Sequence, residues 1–300
     1  MPRLPRRRPN PWPRAEPPAA ETGETVYPAV SNIALPAYDH GAELGPLRDL
    51  GMEGLEVAPS RVWRDTWHGL TAADVSAYRH AVETAGLRVV GLHSLFFDQP
   101  GLGLFKAPEI RRQSLDFLEH LSAVCRDLGG RTLIYGSAPA RRRGDLPLAD
   151  AYAEAIGFFG DLTRRIGGHG TCFCFEPLGP DEADFINSAL DSLTVVEAVA
   201  SPALRIQLDA KALVANGEAE AATFRAVAPL LVHFHANDPG LAVLGSTGEV
   251  DHGAMGRMLA GIGYDGAVSI EQRMVNGDDP LADVARSAHV LRTCYGGFPG

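Results

Sequence analysis

The sequence predicts a closed (β/α)8 (TIM) barrel behind a Pro/Arg-rich N-terminal tail. Three observations predict it. Eight strand-like segments alternate with helix-like segments from Val26 onward, and such alternation implies parallel strands joined by right-handed crossovers. Eight units in the roughly 275 residues after the tail match the size of one such barrel. No Gly-rich phosphate loop follows the first strand, which disfavours an open doubly wound sheet.

The elements follow in order. "VYPAVSNIAL" reads as a strand and "GAELGPLRDLG" as a helix stopped by Gly51. "EGLEVA" is the second strand. "TAADVSAYRHAVETAG" is a helix with Thr71 as N-cap and Gly86 as C-terminal stop. After the strand "LRVVGLH", the segment "APEIRRQSLDFLEHLSAVCRDLGG" places Ile110, Leu115, Leu118, Leu121, Val124 and Leu128 at helical spacing. "RTLIYG" and "TCFCFE" are strands four and five, separated by the helix "PLADAYAEAIGFFGDLTRRIGG". In the second half the strands are "LRIQLD", "LLVHFH" and "GAVSIE". The accompanying helices are "SALDSLTVVEAVA", "EAEAATFRAVAP", "DHGAMGRMLAGIG" and "PLADVARSAHVLRTCYG".

Composition narrows the function. The 300 residues are 45% hydrophobic and 21% charged, as in soluble globular proteins, and no apolar run is long enough to span a membrane. The net charge of −10 argues against a nucleic-acid partner. Residues 1–25 carry five arginines and three glutamates, so the rest is more acidic still. That segment lacks apolar periodicity and an h-region, so it reads as a disordered tail rather than a secretory signal, with the barrel over residues 26–300. Cys125, Cys172, Cys174 and Cys294 form no CxxC spacing, and Cys172 and Cys174, alternating within one strand, read as small core residues in a reducing cytoplasm.

In such a barrel the active site lies at the C-terminal mouth, so the informative residues stand where strands stop. Strand three ends at His93, five at Glu176, six at Asp209, seven at His235 (with His233 two residues before it) and eight at Glu271. A buried carboxylate is costly unless paired, hydrogen-bonded or bound to a metal. Glu176, Asp209, His235 and Glu271 together make an oxygen-rich donor set. It suits one divalent ion such as Mn²⁺, Mg²⁺, Co²⁺ or Zn²⁺.

The stretches "FEPLGPDEADFINS", "IQLDAKAL", "LLVHFHANDPGLAVLGSTGEVDHGAM" and "IGYDGAVSIE" resemble the xylose isomerase-like barrel superfamily, in its sugar phosphate isomerase/epimerase branch. The resemblance is close over the second half of the barrel and holds in outline over the first. Ketose 3-epimerases of that superfamily bind one divalent ion through Glu, Asp, His and Glu. Position by position, this resemblance implies Glu176, Asp209, His235 and Glu271 as metal ligands. It also implies Glu176 and Glu271 as interchangeable acid and base in a proton transfer through a metal-stabilised cis-enediolate. Glu182 matches the position where the family's glutamate contacts the reacting end of the substrate. Two positions depart: Ala212 stands where the epimerases have a substrate-contacting histidine, and Leu241 where they have an arginine. A ketohexose is therefore not the implied substrate without qualification.

Further substrate-binding candidates are Lys211, which could replace the missing contact or meet an anion, and His93, His252 and Trp63. For each the alternative is a structural role, in the barrel core, at a helix cap or on a loop. Phe96, Phe97 and Phe105 are candidates for an apolar lid, and Arg141–Arg143 for an anion contact. The expected function is a metal-dependent isomerase or epimerase of a small polyol, sugar, sugar phosphate or cyclitol, with homo-oligomerisation through outer helices compatible with the fold. The rival inside the superfamily is a metal-dependent dehydratase or lyase of a keto-polyol. Outside it stand an abasic-site endonuclease-like hydrolase, which would need extra histidines and suits the acidic chain poorly, and a non-catalytic binding barrel.

Overall fold

Eight short parallel strands hydrogen-bond in sequence order and close on themselves. They are β1 (Tyr27–Ser31), β2 (Gly54–Val57), β3 (Arg88–Leu92), β4 (Thr132–Tyr135), β5 (Cys172–Phe175), β6 (Leu204–Asp209), β7 (Leu231–Ala236) and β8 (Ala267–Ile270). The structure is a computed structural model describing residues 26–296; the expected disordered tail at residues 1–25 lies outside them. None of the described helices is long and apolar enough to cross a membrane.

Alternation along each strand sorts side chains into two sets. One set, including Val30, Leu55, Leu133, Phe173, Leu208, Phe234 and Val268, belongs to the core shared with the surrounding helices. The other set is small or polar: Ser31, Glu56, Gln207, Asp209, His233, His235 and Ser269, all at or below 1% exposure. The interior of the barrel is therefore polar in its layers nearest the mouth.

The helices are α1 (Gly41–Asp49), α2 (Ala72–Thr84), α3 (Pro108–Asp127), α4 (Leu148–Arg165), α5 (Ala189–Val199), α6 (Ala210–Ala215), α7 (Ala221–Val227), α8 (His252–Gly261) and α9 (Pro280–Tyr295). Thr71 caps α2 by accepting from the Asp74 amide, Asp74 returns the bond, and Gly86 ends the turn at φ +78°. Along α3 the residues Leu115, Leu118, Leu121 and Val124 are buried, each such side chain contributing about 1.5–3 kcal/mol. The short α6 is an element the sequence did not predict. It starts directly at Asp209, whose carboxylate accepts from the Ala212 amide.

Register decides what meets at the mouth. Asp209 pairs with His235, His235 with Ser269, and Ser31 with Glu56. Two irregularities in the ladder, at Leu55/Glu56 and Ile206/Gln207, lie beside these residues. Such shifts re-aim side chains near functional sites.

Candidate metal centre

Glu176 follows β5, Asp209 ends β6, His235 lies in β7 and Glu271 follows β8. All four converge. The Nδ1 of His235 stands 3.4 Å from Glu271 Oε2, 3.6 Å from Glu176 Oε1 and 4.0 Å from Asp209 Oδ2. The carboxylates of Asp209 and Glu271 have further tethers, and Glu176 is held through its backbone. Asp209 Oδ1 accepts from the Ala212 amide at 2.9 Å. The Asn237 amide Nδ2 donates to Asp209 Oδ2 at 2.6 Å and to Glu271 Oε2 at 2.8 Å. The backbone carbonyl of Glu176 accepts from the buried guanidinium of Arg141, which also lies over the Phe175 ring. Gly136 makes room for the Glu176 carboxylate, since a Cβ there would stand 1.6 Å from Glu176 Oε2.

The other face of the His235 ring explains which nitrogen points inward. Its Nε2 lies 3.1 Å from both oxygens of Glu56, a carboxylate with 0% exposure. His233 Nε2 lies 3.1 Å from the same group, off the line of a good hydrogen bond. A carboxylate accepts only, so Nε2 carries a proton and Nδ1 is the nitrogen left for a second proton or a cation. Nδ1 is buried without a hydrogen-bond partner and faces three carboxylates. Only a proton or a cation relieves such an arrangement. Metal–ligand bonds near 2.1 Å put neighbouring donors roughly 3–3.5 Å apart. Glu176, Asp209 and His235 offer donor atoms all within 4.8 Å of one another, and Glu271 approaches His235 at 3.4 Å, so a small divalent ion would draw the set inward.

The protonation states follow the same crowding. Burial, helped by Glu176 and Glu271, pushes Asp209 up to about 7 against the pull of Lys211. Burial disfavours the charged ring of His235, yet Glu56 and Glu271 hold it well above the ordinary histidine range. Burial likewise opposes ionisation of Glu271, but His235 and His93 keep it below the usual carboxylate range. Protons on Asp209 and His235 must therefore leave as a cation enters. We expect Mn²⁺ affinity to rise with pH up to and beyond about 7, because Asp209 gives up its proton near there and His235 holds its own to higher pH, by roughly tenfold per unit for each proton displaced. Calorimetric titration in buffers of different ionisation enthalpy measures both affinity and proton release. An affinity that stays flat as the pH rises through that value would contradict the arrangement.

The other candidates are placed as follows. His93 lines the mouth cavity; its Nε2 pairs with Ser31 Oγ and its Nδ1 lies 3.5 Å from Glu271 Oε1. Lys211 Nζ sits 2.9 and 3.0 Å from the two oxygens of Glu182 and 4.0 Å from Asp209 Oδ1, so Lys211 and Glu182 neutralise each other at the rim. His252 is buried behind β7, its Nδ1 bonded to the Tyr295 hydroxyl at 2.8 Å, and is not among the residues lining the mouth cavity. Trp63 packs edge-on against Tyr78 and lines a separate recess with Tyr38 and Arg64. The three arginines do not act as a set. Arg141 is buried beneath Glu176, Arg142 is exposed, and Arg143 is tied to the Leu146 and Asp184 carbonyls. Phe105 packs against Phe185 instead of closing the mouth. Glu56 and Asn237, which contact the candidate ligands, were not foreseen from the sequence. The one signal for Glu56 was a carboxylate in the middle of the apolar strand "GLEV".

The mouth cavity has a volume of about 330 Å³ and includes His93, Glu176, His235 and Glu271. Solved structures of the same fold carry this arrangement of strands and helices. A D-psicose 3-epimerase from Clostridium cellulolyticum H10 superposes with a TM-score of 0.75 at 16% identity, covering 90% of this chain and 100% of that one. An L-ribulose 3-epimerase gives 0.73 at 18% identity, covering 90% and 95%. A 3-keto-D-glucoside 4-epimerase from E. coli gives 0.76 at 19% identity, covering 90% and 100%. No curated protein matches by sequence. The sequence model of one family matches residues 44–294 under the description xylose isomerase-like TIM barrel. With five-sixths of its length matched and a closed eight-stranded barrel formed, the chain belongs to the xylose isomerase-like TIM barrel family.

Proposed function

We propose that this protein is a divalent-metal-dependent epimerase or isomerase of a keto-sugar or related keto-polyol. The observation that carries the reading is the buried His235 Nδ1 facing Glu176, Asp209 and Glu271 with no hydrogen-bond partner. Similarity to structures described as sugar epimerases supports the substrate class. Glu176, Asp209, His235 and Glu271 would hold the ion, one of Mn²⁺, Mg²⁺, Co²⁺ or Zn²⁺. When bound, it supplies Lewis-acid stabilisation of negative charge developing on two neighbouring substrate oxygens.

The protein's own groups do the rest. Glu176 and Glu271 come from β5 and β8, with β6 and β7 between them, so their carboxylates approach a bound substrate from different sides. One removes the proton from the carbon beside the carbonyl and the other returns a proton to that carbon. Glu271 is kept ionised by His235 and His93, the form in which a carboxylate can take up a proton. Asn237 fixes Glu271 relative to Asp209, which limits the freedom of the reacting oxygen. The Lys211 ammonium on the rim is paired with Glu182 and so is not free for an anionic group.

The test is deuterium incorporation from D₂O with Mn²⁺-loaded protein, over ketohexoses, sugar phosphates, keto-glucosides and keto-cyclitols. Expected is incorporation beside the carbonyl of at least one class, lost on chelation and restored by Mn²⁺. Metal-loaded protein that labels none of them, or releases water from a keto-polyol without reversible labelling, would overturn the reading.

A further inference from the structure

One wall of the mouth cavity contrasts with the metal centre. Beyond His93 it is built from Phe96, Phe97, Pro100, Leu102, Ile134 and Pro139, and its polar side chains are Ser94 and Ser137 alone. We infer that the substrate carries an apolar group, aryl or branched alkyl, that lies on this wall while its hydroxyketone end meets the metal centre. This inference rests on the reading given under the proposed function.

The wall is a constructed surface. Ser94 turns the chain in the left-handed region at φ +52°. The Phe97 amide then donates to the Ser94 carbonyl at 3.3 Å, Gln99 to Phe96 at 3.0 Å and Leu102 to Gln99 at 3.1 Å. The loop is stitched to the one after β4: the Leu104 amide donates to the Ala140 carbonyl at 2.6 Å. At Gly103 an added Cβ would stand 2.3 Å from the same carbonyl. Phe96 is anchored edge-on to Tyr135 at 5.4 Å between centroids. The wall is thus preformed, as small-molecule pockets usually are.

Phe97 is the feature that packing leaves unexplained. It is 80% exposed, more than any other exposed large hydrophobic side chain among the described residues, and it lines the same cavity as Glu176, His235 and Glu271. That continuity points to a small molecule reaching outward from the metal centre. A bare ketohexose fits this wall poorly. Its outer hydroxyls would lie against carbon, with two serines to receive them, and a desolvated hydroxyl without a partner weakens binding. An apolar substituent reverses that balance by removing its own surface and that of Phe97 from water.

The test uses Mn²⁺-loaded protein with two probes, phenyl and methyl 3-keto-β-glucoside. Deuterium exchange gives kcat/KM, and calorimetry with the matching phenyl and methyl glucosides gives affinity. We expect the phenyl probe to be preferred by about tenfold or more in both readings, and Phe97→Ser to lower the phenyl-to-methyl ratio several-fold. Equal kcat/KM for the two probes would overturn the inference and leave the epimerase reading standing. A phenyl preference in binding without exchange of either probe would support the apolar subsite and exclude 3-keto-glucosides as the class that is turned over. A dimer that dissociates on Phe97→Ser in sedimentation would assign the exposed ring to a second copy of the chain and overturn the inference.

Discussion

Glu176→Gln and Glu271→Gln are each expected to lower the rate of epimerisation by about 10²–10⁴-fold while the barrel stays folded. Both side chains are held by their surroundings, so an amide of the same shape can take each place without opening a cavity. Glu176 sits over Gly136, and Glu271 is bonded to Asn237. An amide can still offer one oxygen to a cation but cannot accept a proton from carbon at neutral pH. The two variants should also differ from each other. Each should lose exchange from one epimer before the other, because the surviving carboxylate still serves its own side. Metal content measured on the same samples separates loss of the base from loss of the ion. Wild-type exchange in the double variant, with metal retained, would mean that neither carboxylate moves the proton.

The barrel was legible because its signals are local. Strands that stop at a carboxylate or imidazole, followed by capped helices, can be read one segment at a time. The four proposed ligands shared that legibility, since each stands within one residue of the end of a strand. What could not be read is the direction of side chains on loops and the partners of buried polar groups. His252 looked available at the start of α8, yet Tyr295, from the far end of the last helix, claims its Nδ1. Trp63 followed a strand, but Tyr78 on α2 draws it into another recess. Lys211 lies two residues from Asp209, and its charge is taken by Glu182 from a different loop. The short α6 was hidden because Asp209 both ends a strand and caps a helix. Glu56 was hidden for a related reason. Nothing within β2 indicates that its carboxylate will face two histidines from β7 across the closed barrel.

That carboxylate leads to the second large effect. Glu56→Gln is expected to weaken Mn²⁺ binding by about 10–100-fold, the usual cost of losing a partner that orients a metal-ligating histidine. Burial works against the charge on Glu56, but His235, His233 and His93 hold it well below the usual carboxylate range. It therefore accepts from His235 Nε2 throughout the neutral range and leaves Nδ1 free to bind. Glutamine keeps the shape but not the demand: its amide can rotate to donate, which favours the tautomer with a proton on Nδ1, where the cation must sit. Glu56→Leu removes the anion outright and leaves the histidines unpaired in the core, which should cost about 3–5 kcal/mol of stability. The two substitutions separate orientation from folding. Calorimetry gives the Mn²⁺ affinity, and ¹⁵N spectra of Zn²⁺-loaded protein report which ring nitrogen of His235 is protonated. Unchanged Mn²⁺ affinity in a folded Glu56→Gln protein would show that the imidazole needs no carboxylate behind it, and Glu56 would then be a core charge with no part in metal binding.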